Sequence, residues 1–274
     1  MISFRVWLIP LGAVLFAGLP QDGIRFRGPD GQPLPLQSDA SIEEFLRTAD
    51  VVEMKKLEEG VTGAHKLRLR RDAMRVNAIF RDVNETRQGR PRPSGEEVIL
   101  RDDYVFEVAA YRLDRLLGLG RVPPVVKRRI ENRDGTLQLW IEDSITEKER
   151  RRRKEPIGPA TGLDWQQMML FDNLIFNDDR NRGNVLYDAS GRLWMIDHTR
   201  AFRQFTELPY PEAVQKCDRA LWERLQTLTD AEIAGAIGPF LQQAELEALL
   251  KRRLLLVEYI SSRIAELGPE SVLY

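Results

Sequence analysis

The sequence predicts an α+β protein built in two halves, a strand-rich N-terminal half with one helix and a helix-rich C-terminal half. Three observations carry that expectation. Alternation of apolar and polar residues between Val51 and Val83 marks three strands. Val105, Ala109, Leu113, Leu116 and Leu117 then recur at helical spacing. Beyond Gly162 the apolar pattern is mostly helical.

At the start, Val6 to Leu19 is almost unbroken apolar chain behind Arg5, interrupted by Pro10. It falls short of the roughly 20 residues that span a bilayer. Two readings stay open: the apolar region of a secretory signal, with Ala17 and Gly18 near a cut, or a buried strand. The first makes the protein exported or membrane-tethered, the second cytoplasmic. Residues 1–20 are therefore set apart as signal or anchor, and 21–40, rich in Gly, Pro and Asp, as linker.

Residues 41–143 form the first lobe. A short helix capped by Ser41 or Asp39 carries Ile42, Phe45 and Leu46 on one face. Strands follow over Val51–Leu57, Ala64–Arg70 and Met74–Val83. In the third, Val76, Ala78 and Phe80 alternate with Asn77, Ile79 and Arg81. Glu58 to Gly63 is a glycine-bearing turn between the first two. Asn84 to Gly95, polar with two prolines, is expected to be a loop. Asp102 or Asp103 caps the helix of Val105 to Leu117, which Gly118 and Gly120 end. Strands Val125–Ile130 and Leu137–Ile141 are joined by Asn132 to Gly135, with Asp134-Gly135 as the hairpin turn.

Residues 144–274 form the second lobe. The basic run Arg150 to Lys154 reads as a solvated loop, or more sharply as a docking patch for an acidic or phosphorylated partner. Helices are expected over Trp165–Phe176, near Ala213–Leu228, and over Asp230–Ile237 and Leu246–Leu267. Trp165, Met168 and Met169 read as helix core.

Composition narrows the chemistry. With 43% hydrophobic and 30% charged residues, the 274-residue chain can bury a real core. A formal net charge of −1 gives no field that would draw nucleic acid, and none is expected as a partner. A single cysteine, Cys217, excludes internal disulfides and a four-cysteine zinc site, and it reads as buried and inert. His65 and His198, the only histidines, make no zinc-hydrolase pair. His65 reads as a residue on a strand face.

The informative stretch is Phe171 to His198. A helix ends in a polar run containing Asp179 and Asn184. A short strand, Val185 to Tyr187, turns at Asp188 to Gly191 and returns through Leu193 to Ile196, with Asp197 at its end. That layout gathers oxygen ligands, Asn184 and Asp197, at one point, as a hard cation such as Mg²⁺ prefers. Asp179 stands ready to orient a hydroxyl. Phosphoryl transfer needs these parts: charge neutralisation and a positioned attacker.

Asp179-x-x-x-x-Asn184 has the spacing of the protein-kinase catalytic loop. With Arg180 included it resembles the phosphatidylinositol kinases, the HipA toxin kinases and the secreted casein-kinase-like Golgi kinases. Asn177-x-Asp179-Arg180 adds to the HipA-like version. Asp197-His198-Thr199 stands where kinases carry Asp-Phe-Gly. The resemblance implies a two-lobed protein-kinase-like fold, ATP with Mg²⁺ or Mn²⁺ as cofactors, Asp179 as catalytic aspartate, and Asn184 and Asp197 as metal ligands. It also places Gly60, Thr62 and Gly63 in a loop over the phosphates. Adenine then lies against the backbone near Ile141 and Glu142. Arg81 stands where kinases carry lysine, with Glu107 as its partner; Lys66 offers a substitute ammonium. His198 is expected to bond backbone around Asp197, and Arg180 to pair with Asp197 or Asp178.

Three activities fit the resemblance. The first is an ATP-dependent phosphotransferase acting on a hydroxyl acceptor, foremost a protein Ser or Thr, with lipid or sugar as alternatives. The second is a pseudokinase serving as a nucleotide-binding regulatory module. The third is AMP transfer. Membrane contact is expected only through the N-terminal segment.

Overall fold

The computed structural model describes residues 25–36, 38–57, 63–89, 98–156 and 161–274. The apolar segment Val6–Leu19, and Gly60 and Thr62 of the expected phosphate loop, lie outside the described residues. No helix among the described residues is long and apolar enough to cross a membrane.

The first lobe opens with α1 (Asp39–Thr48), capped by Ser38 rather than by Asp39 or Ser41. Ser38 Oγ accepts from Ser41 N at 3.2 Å while Ser41 Oγ accepts from Ser38 N at 3.3 Å. Ile42, Phe45 and Leu46 are buried against the sheet. β1 (Asp50–Lys56), β2 (His65–Arg71) and β3 (Met74–Arg81) follow as an antiparallel meander. Leu67, Leu69, Val76, Ala78 and Phe80 enter one core with α1. Asn77, Ile79 and Arg81 are buried as well, on the opposite face of β3.

Residues 84–88, expected as loop, form β4 (Asn84–Gln88), paired antiparallel with β5 (Ile99–Asp103). Every residue of β4 is exposed, so no buried face imposes the alternation by which a strand is recognised. Next is α2 (Val105–Leu116), where Asp103 Oδ1 accepts from Val105 N at 3.0 Å. Gly118 and Gly120, both at positive φ (76° and 64°), close the helix.

β6 (Val125–Ile130) and β7 (Arg133–Leu139) complete a five-stranded sheet in the order β1-β2-β3-β7-β6. Their turn is Glu131-Asn132, at φ +48° and +65°, rather than Asp134-Gly135. Gly135 lies inside β7 for a packing reason: a Cβ there would stand 2.5 Å from Arg81 O and 2.6 Å from the Phe80 ring. Gly135→Ala is expected to destabilise the protein by about 1–3 kcal/mol, the usual cost of overpacking. A urea midpoint equal to that of the wild type would overturn this account of the glycine.

The second lobe contains β8 (Ile145–Thr146), α3 (Glu147–Arg153), α4 (Thr161–Ile175), β9 (Val185–Tyr187), β10 (Leu193–Met195), α5 (Arg219–Thr227), α6 (Asp230–Ile237), α7 (Gln243–Leu267) and α8 (Pro269–Val272). The basic run is helical, not a loop. Thr146 Oγ1 caps Glu149 N at 3.1 Å, and Glu147 pairs with Arg150 at 2.7 Å. Glu149 takes Arg153 at 2.6 Å. Acids in the first turn followed by arginines in the last suit the helix dipole and the i,i+3/i,i+4 spacing. The core of this lobe joins α4, the β9–β10 hairpin and α5 to α7 with Phe106, Val108, Ala109 and Leu113 of α2. Met168 is fully buried and Trp165 and Met169 are partly so; Cys217 is a buried free thiol. Thus α2 is core to the lobe below it, while its other side meets α1 through Tyr111 Oη–Glu43 at 2.8 Å and Arg115–Asp39 at 2.6 Å.

Candidate active site

The polar run after α4 is folded inward by a buried arginine. Arg180 donates to Asp172 at 2.9 and 3.0 Å, to Asn184 O at 2.9 Å, to Ile196 O at 2.8 Å and to His198 Nε2 at 2.9 Å. One side chain therefore ties the end of α4, the loop and the returning strand together. Its partner is Asp172, neither Asp197 nor Asp178. Asp178 faces outward and takes Arg203 at 3.4 Å. Asn177, fully buried, donates to Asp172 at 3.1 Å and accepts from Asp179 N at 3.2 Å, which sets the loop's first turn.

Asn184 is fixed by its backbone and its amide. Its carbonyl accepts from Ile196 N at 3.2 Å, and its Nδ2 donates to Asp179 O at 3.2 Å. With the amide N–H engaged there, the amide oxygen is the atom left for the cleft that Asn184 lines. Asp197 sits at φ +60°, in the left-handed region. Its Oδ1 lies 3.7 Å from Arg81 Nε and 3.4 Å from Thr199 Oγ1. Burial raises the Asp197 carboxyl above its ordinary range; Arg81 pulls it down, while Glu107 and Asp179 push it up. A carboxylate crowded by two other acids is stabilised by a cation placed among them. Among the described residues no group of three or more His, Cys, Asp or Glu converges as a metal cage. Asn184 and Asp197 instead offer the few oxygens that a Mg²⁺ or Mn²⁺ sharing its sphere with phosphates and water requires.

Behind Asp197 lies a chain of charges. Glu107, fully buried, meets Arg81 Nε at 3.5 Å, accepts from His198 N at 3.1 Å and faces His198 Nδ1 at 3.3 Å. Burial alone would raise the Glu107 carboxyl, but the Arg81 charge and the His198 contacts outweigh it and hold it at about 2. The stabilisation this gives is complete above the ordinary carboxylate value of 4.5 and is lost as pH falls toward 2. Urea unfolding between pH 5 and pH 2.5 should therefore show a steeper loss for the wild type than for Glu107→Gln. Parallel curves would mean Glu107 is not held down.

His198 turns to Glu107 and Arg180, not to the backbone around Asp197 as expected. Arg180 can only donate, so His198 Nε2 accepts and the proton sits on Nδ1. Lys66 is no substitute ammonium: its Nζ stands 3.8 Å over the Trp140 ring. Glu142 is not among the residues that line the cleft, and its carboxylate accepts from Asn77 Nδ2 at 2.7 Å. Ile141 does line it, at the link between the lobes. Gly63, at φ +66°, leads into β2 beside Ala64, which lines the cleft mouth.

The cleft between the lobes has a volume of about 600 Å³ and holds Arg81, Asp179, Asn184 and Asp197 on its walls. It also holds residues that sequence reasoning missed. Arg200 donates to Asp179 Oδ2 at 3.2 Å and to Asp102 at 2.8 Å, bridging the loop to β5. Gln138 of β7 reaches Arg81, its Oε1 lying 3.5 Å from Nη1. Neither residue belongs to a local motif. Only the position of Gln138, across the ladder from Ile79, could have pointed to it.

No protein-family model matches the sequence, and no curated protein matches it. Solved structures do. Hydra Fam20, determined with sugar, superposes with a TM-score of 0.67 at 19% identity, over 92% of this chain and 96% of that one. The Golgi casein kinase with Mn and ADP bound gives 0.62 at 14%, over 86% and 78%. The Helicobacter pylori proinflammatory kinase CtkA gives 0.51 at 12%, over 81% and 98%. These likenesses show the fold: a divergent protein-kinase-like architecture, with an antiparallel-sheet lobe before a helical one.

Proposed function

We propose that this chain is an ATP-dependent phosphotransferase acting on a hydroxyl group, with a protein serine or threonine as the favoured acceptor. The observation that carries the reading is the meeting of Asp179, Asn184 and Asp197 on one cleft wall, with the Arg81–Glu107 pair behind them. Asn184 and Asp197 would hold Mg²⁺ or Mn²⁺, and the ion supplies charge neutralisation on the β- and γ-phosphates. Asp179 orients the acceptor hydroxyl and takes its proton as the oxygen attacks phosphorus and ADP leaves. Arg200 holds the Asp179 carboxylate in place. Arg81, paired with Glu107 and beside Asp197, supplies a permanent positive charge where a kinase lysine would stand.

Arg81 also supports a second reading. Its guanidinium already lies 3.5 Å from Glu107 and 3.7 Å from Asp197, so its charge is balanced within the protein before any phosphate arrives. On that reading the chain is a nucleotide-binding regulatory module without turnover. Purified protein with ATP and Mg²⁺ or Mn²⁺ separates the two. Transfer of the γ-phosphate to a protein, sugar or lipid hydroxyl, lost in Asp179→Ala, supports the phosphotransferase. Metal-dependent stabilisation by ATP without transfer supports the regulatory module. Label from the α-phosphate appearing on protein would replace both with AMP transfer.

A further inference from the structure

We propose that Gln138 reads the purine of the bound nucleotide through a hydrogen-bond donor, so that the cleft takes guanine nucleotides as readily as adenine nucleotides. This rests on the nucleotide-binding reading above. Gln138 is 2% exposed and lines the cleft. Its amide orientation follows from chemistry. The Arg81 guanidinium can only donate, so the oxygen of Gln138 must face it, at 3.5 Å from Nη1. That leaves Nε2, a donor, with no hydrogen-bond partner. A buried N–H without an acceptor is costly, so the site is built for a ligand atom that accepts.

The surroundings indicate which part of a nucleotide that atom belongs to. Leu57, Ala64 and Ile79 of the first lobe, and Leu186 and Ile196 of the second, line the same cleft. Apolar side chains from both lobes make a slot for a flat ring. Gln138 lies directly across the ladder from Ile79, on that slot's inner wall, while Ile141 marks the link between the lobes. A purine edge presents N7 and the 6-substituent side by side. In guanine both accept, matching the Gln138 N–H. In adenine N7 accepts but the 6-amino group donates, and gains nothing from a second donor.

Gln138→Glu tests this with little change of shape. It keeps an oxygen for Arg81 and replaces the donor with an acceptor. Titration calorimetry with Mg-ADP and Mg-GDP should show wild-type affinities within about threefold of each other, and a shift of about tenfold toward ADP in Gln138→Glu, the scale of one hydrogen bond exchanged for a mismatch. If Gln138→Glu fails to fold, Gln138→Met keeps the volume; it should lose about tenfold in GDP affinity and little in ADP affinity. Equal weakening of both nucleotides in Gln138→Met, which adds no charge, would place the donor against a phosphate and overturn the proposal. So would a wild type that prefers ADP by more than about thirtyfold, a gap larger than one hydrogen bond supplies. A wild type that binds neither nucleotide sinks the phosphotransferase reading as well. ADP binding with an unchanged ratio in the variants sinks only the role of Gln138.

Discussion

Asp197→Asn is expected to abolish metal-dependent nucleotide binding while leaving the protein folded. Asparagine matches the shape of aspartate and tolerates the left-handed backbone at φ +60°, so the turn survives. What goes is the charge. Burial raises the Asp197 carboxyl, with Glu107 and Asp179 pushing the same way, so its ionised form is disfavoured in the folded state unless a cation is present. Without metal, the melting temperature of Asp197→Asn should equal or exceed that of the wild type. With Mg²⁺, ADP affinity should fall by about 100-fold or more, since even residues one step removed from a metal cost 10–100-fold. Stability and binding thus move in opposite directions, a pattern that a merely structural aspartate would not produce. Retention of wild-type Mg-ADP affinity would show that the cation is held elsewhere.

Asp179→Ala separates chemistry from binding. Asp179 is partly exposed, and its side-chain partner is Arg200 at 3.2 Å, an accessible pair that contributes about 0–1 kcal/mol to stability. The loop does not need its carboxylate, because Arg180, Asn177 and Asn184 hold the backbone. Mg-ADP affinity is therefore expected to stay within a few-fold of the wild type. Turnover should drop by about 10²–10⁴, the range for a positioned general base. A variant that transfers phosphate at the wild-type rate would remove Asp179 from the chemistry, and one that fails to fold would show that the loop depends on the carboxylate.

The order of elements was legible because most of them have one buried face. α1 shows it in Ile42, Phe45 and Leu46, β2 in Leu67 and Leu69, and α6 has the expected bounds. What stayed hidden was held by partners distant in the chain. β4 buries nothing, so it leaves no periodic trace. Gly135 looked like half of a turn, but its reason lies across the sheet in Arg81 O and Phe80. Glu107 falls off the apolar stripe of α2 and could have been a surface charge; Arg81 and His198 bury it. In the candidate site, the spacing of Asp179, Asn184 and Asp197 could be read locally, because one hairpin brings them together. Gln138 and Arg200 could not. Their neighbours, Arg81 and Asp102, are 57 and 98 residues away.

The anchoring of α2 bears on how such a molecule could be governed. From one side α1 grips it through Glu43–Tyr111 and Asp39–Arg115. From the other, its Phe106 ring packs 5.5 Å from that of Phe202, and its Glu107 accepts from His198 N at 3.1 Å. Swinging that helix outward to withdraw Glu107 would break the Asp39–Arg115 pair on one flank and unpack Phe106 from Phe202 on the other. Among the described residues, the position of Glu107 is therefore fixed by the packing of α2 on both sides.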